Sequence, residues 1–232
     1  MKREDLLAFL TNQIIQRKLE SRPLKVGIDG RSAAGKSVLA IELASAVRKR
    51  GFDVFRPSVD GFHHPRERRY QKGEYSAAGY FEDAYDYQAV IDHLLAPLSG
   101  NTFPVLCRQV ARDLRTDMPA TAPPTSMGAE SILLFEGLFL FRRELNDYWD
   151  FRILLDISAE ESLSRALDRD TGILGPADIV QRKYELRYEP AWQIYLQEEQ
   201  PESKADVIVN NRDFSRPMIS KPASFREANA AP

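Results

Sequence analysis

Apolar residues along this chain change their spacing several times, and each change marks an expected element. Leu6, Leu7, Leu10 and Ile14 fall at helical intervals, so residues 4–18 read as an amphipathic helix. Leu24-Lys25-Val26-Gly27-Ile28 is mainly apolar and reads as a first strand. Helical spacing then runs from Val38 through Val47 to about Arg50, with Gly51 as a C-terminal cap. Val54-Phe55 and Ser58-Val59 read as a second strand ending at Asp60, and Asp86 caps a helix to about Leu95, ended by Pro97 and Gly100. Ile132-Leu133-Leu134-Phe135 and Phe151–Ile157 are unbroken apolar runs, the signature of strands covered on both faces. Ser158 with Glu161 forms a capping box for the next helix, a glycine-containing break spans 170–176, and 177–199 is helical again. Asp206–Val209 is a last short strand.

Three stretches lack such a period. Residues 65–85 are charged and tyrosine-rich, which marks a functional loop or short helices. Residues 101–128 combine prolines and glycines with short alternating segments and read as a β-hairpin or flap. The chain from about Ser215 is polar and proline-dotted, so 215–232 is expected to be a flexible tail. Alternating strands and helices predict an α/β fold with a central five-stranded parallel sheet flanked by helices. A single domain over 1–214 would carry the flap at about 101–128 and a helical lid at about 165–199. Ligands of such sheets lie at the carboxyl ends of the strands, which puts Asp29, Asp60 and Glu136 around them.

What the ligand is follows from Gly30-Arg31-Ser32-Ala33-Ala34-Gly35-Lys36-Ser37, a G-x-x-x-x-G-K-[ST] run set between the first strand and the helix after it. Small residues let the backbone N–H groups wrap a phosphate at a helix N-terminus. Lys36 adds a mobile positive charge and Ser37 a hydroxyl for Mg²⁺. The motif predicts a P-loop nucleoside triphosphate site. The 232 residues carry 32 basic and 34 acidic side chains, a near-neutral balance that points to no nucleic-acid or membrane partner. A single cysteine, Cys107, no run of eighteen apolar residues and no signal-peptide pattern point to a cytoplasmic protein. A homo-oligomer is left open.

Asp60, closing the second strand, is placed to accept a proton from a substrate hydroxyl beside the γ-phosphate, a role that competes with a simple turn residue before Gly61. His63 and His64 follow it and could contact substrate or phosphate. Glu136-Gly137, after a buried strand, offers a carboxylate that would support Mg²⁺ together with Ser37. Arg165 and Arg169 lie one helical turn apart; with Arg182 and Arg187 they could close over the triphosphate, although charged helix faces are usually just solvated. No N-K-x-D or D-x-x-G motif occurs, which weakens a GTPase reading. The competing class is a nucleotide-dependent switch without an acceptor.

Taken together, the phosphate loop, Asp60-Gly61-Phe62, Tyr80-Phe81-Glu82-Asp83-Ala84-Tyr85-Asp86, Leu134-Phe135-Glu136-Gly137, Arg165 with Arg169, Tyr184 through Pro190 and Ala205-Asp206-Val207-Ile208-Val209 are similar to the uridine kinase, phosphoribulokinase and bacterial pantothenate kinase group, over roughly residues 22–212. In order and spacing the chain looks most like uridine kinase. The resemblance implies γ-phosphoryl transfer from ATP to a ribose 5′-hydroxyl, with Asp60 as base and Asp83 (or Glu82) on the ribose hydroxyls. It also implies an acceptor site with contributions from His63, Arg112 and Arg187. The chain departs from uridine kinases at Gly61-His63, where they have Ser and Tyr. It departs again at Val110-Ala111-Arg112-Asp113-Leu114, where Arg112 stands near a base-reading tyrosine's place and no histidine follows. Asp60-Gly61-Phe62 with His64-Pro65, and Tyr85-Asp86, look rather like bacterial pantothenate kinase. The acceptor implied is uridine or a related nucleoside, with pantothenate or another small alcohol or sugar as the alternative.

Overall fold

The computed structural model describes residues 1–222. Ten strands form: β1 Leu24–Gly30, β2 Val54–Phe55, β3 Val105–Cys107, β4 Arg112–Asp113, β5 Met118–Pro119, β6 Thr125–Met127, β7 Ile132–Gly137, β8 Phe151–Asp156, β9 Val207–Asn210 and β10 Met218–Lys221. The main sheet has the order β10-β9-β8-β1-β7-β2. Its five strands β9, β8, β1, β7 and β2 run parallel, as the apolar runs predict. The sixth, β10, is antiparallel to β9 and comes from the segment expected to be a loose tail. An unpaired edge on β9 explains the capture: its N–H and C=O groups need partners, and Met218–Lys221 supplies them. Residues 223–232, the rest of that expected tail, lie outside the described residues.

Every residue of β1 and β7 is buried, because helices cover both faces. Helices Arg3–Gln16 and Lys36–Arg48 lay Leu6, Leu10, Ile14, Leu39, Leu43 and Val47 against Val26, Ile28 and Ile153. On the opposite face Phe135, Phe139, Trp149, Trp192 and Tyr195 pack together, with Phe139 and Tyr195 edge to face at 5.2 Å. A third, small cluster of Ala33, Ala166, Val180 and Tyr184 joins the phosphate loop to helices Ala159–Asp170 and Ala177–Lys183, in the segment expected to form a lid. The flap is two antiparallel pairs in series, β3 with β6 and β4 with β5.

The second strand is shorter than expected. Only Val54–Phe55 pairs regularly with β7. Pro57 has no N–H to donate and contributes only its carbonyl, which accepts from Glu136 N–H at 3.3 Å. A lone bridge follows between Ser58 and Glu136, after which Val59–Phe62 winds into a 3₁₀ turn. Ser58 Oγ caps that turn by accepting from Asp60 N–H. Asp60 therefore sits in a helical turn beyond the sheet, one bridge away from Glu136.

Candidate active site

The glycine-rich loop is held open by its own backbone. Gly35 takes φ 92°, in the left-handed region, where it caps helix Lys36–Arg48, and Ala33 shares that region with φ 56°. Asn211, just past β9, pins the loop by donating to the Ala34 carbonyl at 2.7 Å. Inside it, Lys36 Nζ donates to the carbonyls of Gly30 (2.7 Å) and Arg31 (2.8 Å). Burial pushes the Lys36 ammonium down from its ordinary pKa, and the charges of Glu136, Asp29 and Asp60 oppose that.

Ser37 Oγ donates to Glu136 Oε1 at 3.1 Å. A hydroxyl and a carboxylate on neighbouring elements, both hard oxygen donors, fit the few protein ligands Mg²⁺ takes when nucleotide phosphates and water supply the rest. Glu136 is positioned by Gly137 after it. A Cβ at 137 would overlap Val59 Cγ1 and stand 2.6 Å from Val59 Cβ, so only glycine lets the 3₁₀ turn close on the end of β7. That approach brings Asp60 to the same opening as Glu136.

A cavity of about 710 Å³ opens there. Of the residues expected from sequence, it gathers Ser32, Ala33, Lys36, Ser37, Asp60, His63, Glu136, Arg169 and Arg187. Asp60 is well exposed to it, with Tyr85 OH donating to its Oδ1 at 3.4 Å and His63 Nε2 at 3.9 Å. His63 Nδ1 bonds the Asp60 carbonyl at 2.8 Å, and burial holds its imidazole below the ordinary value. Arg169 is paired with Asp170 at 2.6 Å, and Tyr184 OH links Asp170 (3.1 Å) to Ser32 (2.7 Å), tying lid to loop.

Other expected residues stand elsewhere. Asp29 is fully buried beneath the loop. Its carboxylate accepts from Tyr195 OH at 2.6 Å and from the N–H groups of Gly30 and Leu140, so it braces the core and faces no ligand. Burial pushes its pKa up against those bonds. Arg31 points its guanidinium at Glu189 and the Ile157 carbonyl. Gly30 and Ala34 contribute carbonyls that hold Lys36 and Asn211. Arg165 is bound by Glu161 and the carbonyls of Asn211 and Arg212, and lines an adjoining cleft with Gly35, Val38 and Phe214.

Asp83 does not line the cavity: its helix turns it to Lys72 at 2.9 Å and Arg68 at 3.9 Å. Arg112 donates to the Asp117 carbonyl across its own hairpin; it is outside the main cavity but lines an adjoining cleft with Asp60, Gly61 and Leu114. His64 pairs with Asp86 at 3.6 Å, and Arg182 stacks over Tyr75. Arg187 lines the cavity but is buried, with its guanidinium on the carbonyls of Glu74 (2.9 Å), Arg69 (3.1 Å) and Gly73. It braces the 69–76 segment.

The cavity also holds Tyr80 and Tyr85, from the motif at 80–86, and residues that no motif singled out: Arg66, Arg69, Tyr70, Arg115 and Asp170. For Arg66, Arg69 and Tyr70 the only signal was the charged, tyrosine-rich composition of 65–85; Arg115 and Asp170 carried none.

The profile of the Phosphoribulokinase / Uridine kinase family matches residues 25–214. A pantothenate kinase of Streptococcus agalactiae is 25% identical over 179 residues, 75% of this chain and 58% of its own length. One of Streptococcus pneumoniae is 26% identical over 190 residues, 80% of this chain and 61% of its own. The match therefore spans about three fifths of those relatives. The structure described as that of a possible uridine kinase from Bacillus stearothermophilus superposes with a TM-score of 0.69 at 25% identity, covering 88% of this chain and 97% of the other. A D-glycerate 3-kinase from Cryptococcus neoformans shares the fold at 15% identity, with a TM-score of 0.60 over 94% of this chain and 98% of its own. With the loop, Asp60 and Glu136 assembled at one opening of a parallel sheet, the chain belongs to the Phosphoribulokinase / Uridine kinase family.

Proposed function

We propose that this kinase transfers the γ-phosphoryl group of ATP to a primary hydroxyl of a small molecule, with Asp60 accepting the hydroxyl proton. The observation that carries the reading is the meeting of Asp60 with Lys36, Ser37 and Glu136 in one cavity wide enough for an alcohol. Lys36 and the loop N–H groups hold the phosphates, and Arg169 offsets charge on the transferring group. Ser37 and Glu136 would hold Mg²⁺, which when bound neutralises the phosphate oxygens.

Two acceptors have support. Uridine or a related nucleoside is favoured by the likeness to a possible uridine kinase, and pantothenate by the curated relatives. Asp83 lies outside the cavity, and Arg112 lines an adjoining cleft that shares Asp60. ADP release from ATP and Mg²⁺ is to be measured with and without uridine, cytidine, pantothenate and glycerate. Acceptor-dependent release is the expected result. Slow hydrolysis indifferent to every acceptor would replace the kinase with a nucleotide switch. A near-neutral chain fits a cytoplasmic enzyme acting on a small molecule, alone or as a homo-oligomer.

A further inference from the structure

The cavity carries charge of both signs, and not all of its cations are matched by a carboxylate. Its carboxylates, Asp60, Glu136 and Asp170, lie toward the phosphate loop, and two of them are already bonded there, Glu136 to Ser37 and Asp170 to Arg169. Arg66, Arg69 and Arg115, from the 66–69 helix and the flap, also line the cavity. Arg69 has one acidic partner, Asp117 at 3.1 Å, whose other oxygen accepts from Arg66 N–H at 2.8 Å. That leaves Arg69 Nε buried without a hydrogen-bond partner. Among the described residues Arg66 and Arg115 belong to no ion pair; Arg66 lies over the Tyr70 ring at 5.5 Å. Behind them Arg187 fixes the 69–76 carbonyls, so the arginines stand on a braced segment.

A buried guanidinium N–H without an acceptor is costly, and a carboxylate or phosphate oxygen is the acceptor that suits its fork. We propose that the acceptor is a small alcohol bearing an acidic group, carboxylate or phosphate, held by Arg66, Arg69 and Arg115 while its hydroxyl faces Asp60. The proposal rests on the phosphoryl-transfer reading above and narrows it. The hydroxyl proton passes to Asp60, the oxygen bonds to the γ-phosphorus, and the bond from that phosphorus to the β-phosphate oxygen breaks to release ADP.

The test compares acceptors that differ at one end only: glycerol, glycerate and glycerol 3-phosphate, and pantothenate beside its neutral alcohol panthenol, with uridine alongside. ADP release is expected with a kcat/KM at least roughly tenfold higher for a charged member than for its neutral counterpart. Which of glycerate and glycerol 3-phosphate gains decides between carboxylate and phosphate. Arg66→Gln and Arg115→Gln alter exposed side chains. Each should raise KM for the charged acceptor roughly tenfold and leave KM for ATP in place.

Preference for uridine or panthenol overturns the proposal while leaving the kinase standing. Equal losses for charged and neutral acceptors do the same, since they would mean a structural role. If no alcohol is phosphorylated, the kinase reading fails by itself, and titration of glycerate and inorganic phosphate into the protein with Mg²⁺ and ADP takes over. Binding that weakens in Arg115→Gln keeps the anion site, and no binding removes it.

Discussion

The wall of the cavity that faces the phosphates and the wall that faces the acceptor rest on different foundations. The first is built on β1, β7 and helix Lys36–Arg48, whose side chains fill the sheet core, and its polar groups are bonded to one another: Lys36 to two carbonyls, Ser37 to Glu136, Asn211 to Ala34. The second is built on short helices, Arg66–Arg69 and Ala77–Asp83, and on the flap, outside the sheet; among the bonds that hold it are Arg187 to backbone carbonyls, Asp117 to Arg66 and Arg69, and Ala111 N–H to the Gly61 carbonyl at 2.8 Å. A sheet end offers backbone positions that packing holds rigid, which suits a ligand whose triphosphate never changes. Loops over it can change side chains at small cost to the core, which suits the acceptor. Relatives named for different acceptors on one fold agree with that division.

The sharpest way to break the comparison is to disable each wall in turn. Asp60→Asn removes the proton acceptor and should lower kcat by about 10²–10⁴-fold with ATP affinity nearly intact. Lys36→Ala should lower kcat by about 10²–10³-fold and weaken ATP binding as well. Steady-state kinetics with nucleotide titration separates them, and equal ATP affinity in both variants would contradict the division of roles. Gly137→Ala tests the joint between the walls: overlap with Val59 should cost about 1–3 kcal/mol in urea unfolding and lower kcat by displacing Asp60. Unchanged stability would show that Val59 yields freely.

The smallest effect concerns pH. Burial holds His63 and His64 below their ordinary value of 6.5. As pH falls through that value the unfolded chain takes up protons that the folded one refuses. The contribution is therefore complete above 6.5 and is lost as pH falls toward the lowered folded values. His63→Gln should make unfolding free energy less steep between about pH 7.5 and about pH 5.5. An identical slope would mean that His63 is not buried as a neutral ring.

How much of this was legible in sequence depends on how local each feature is. The phosphate loop, the parallel strands and Glu136 before Gly137 were readable because each is one contiguous stretch with its own spacing. Where Asp83 and Arg112 would stand was not legible, because a resemblance in chain order says nothing about which way a short helix or hairpin turns its side chains: Asp83 faces Lys72, and Arg112 lines the cleft beside the main cavity with Asp60. Asp29 was misread because a strand-end carboxylate can serve the ligand or the core, and Tyr195, 166 residues away, claims it.

By itself, the sequence determined that a P-loop sheet forms, that its first loop grips phosphates, and that carboxylates follow two later strands. Those outcomes need only local dihedral preferences and the periodic burial of apolar side chains. The tertiary structure decided that Asp60 reaches the cavity through one bridge and a glycine-sized gap, that β10 closes the sheet edge, and that Arg66, Arg69 and Arg115 converge. Convergence of residues from separate loops depends on how those loops pack on the core, a long-range property that no single stretch of chain encodes.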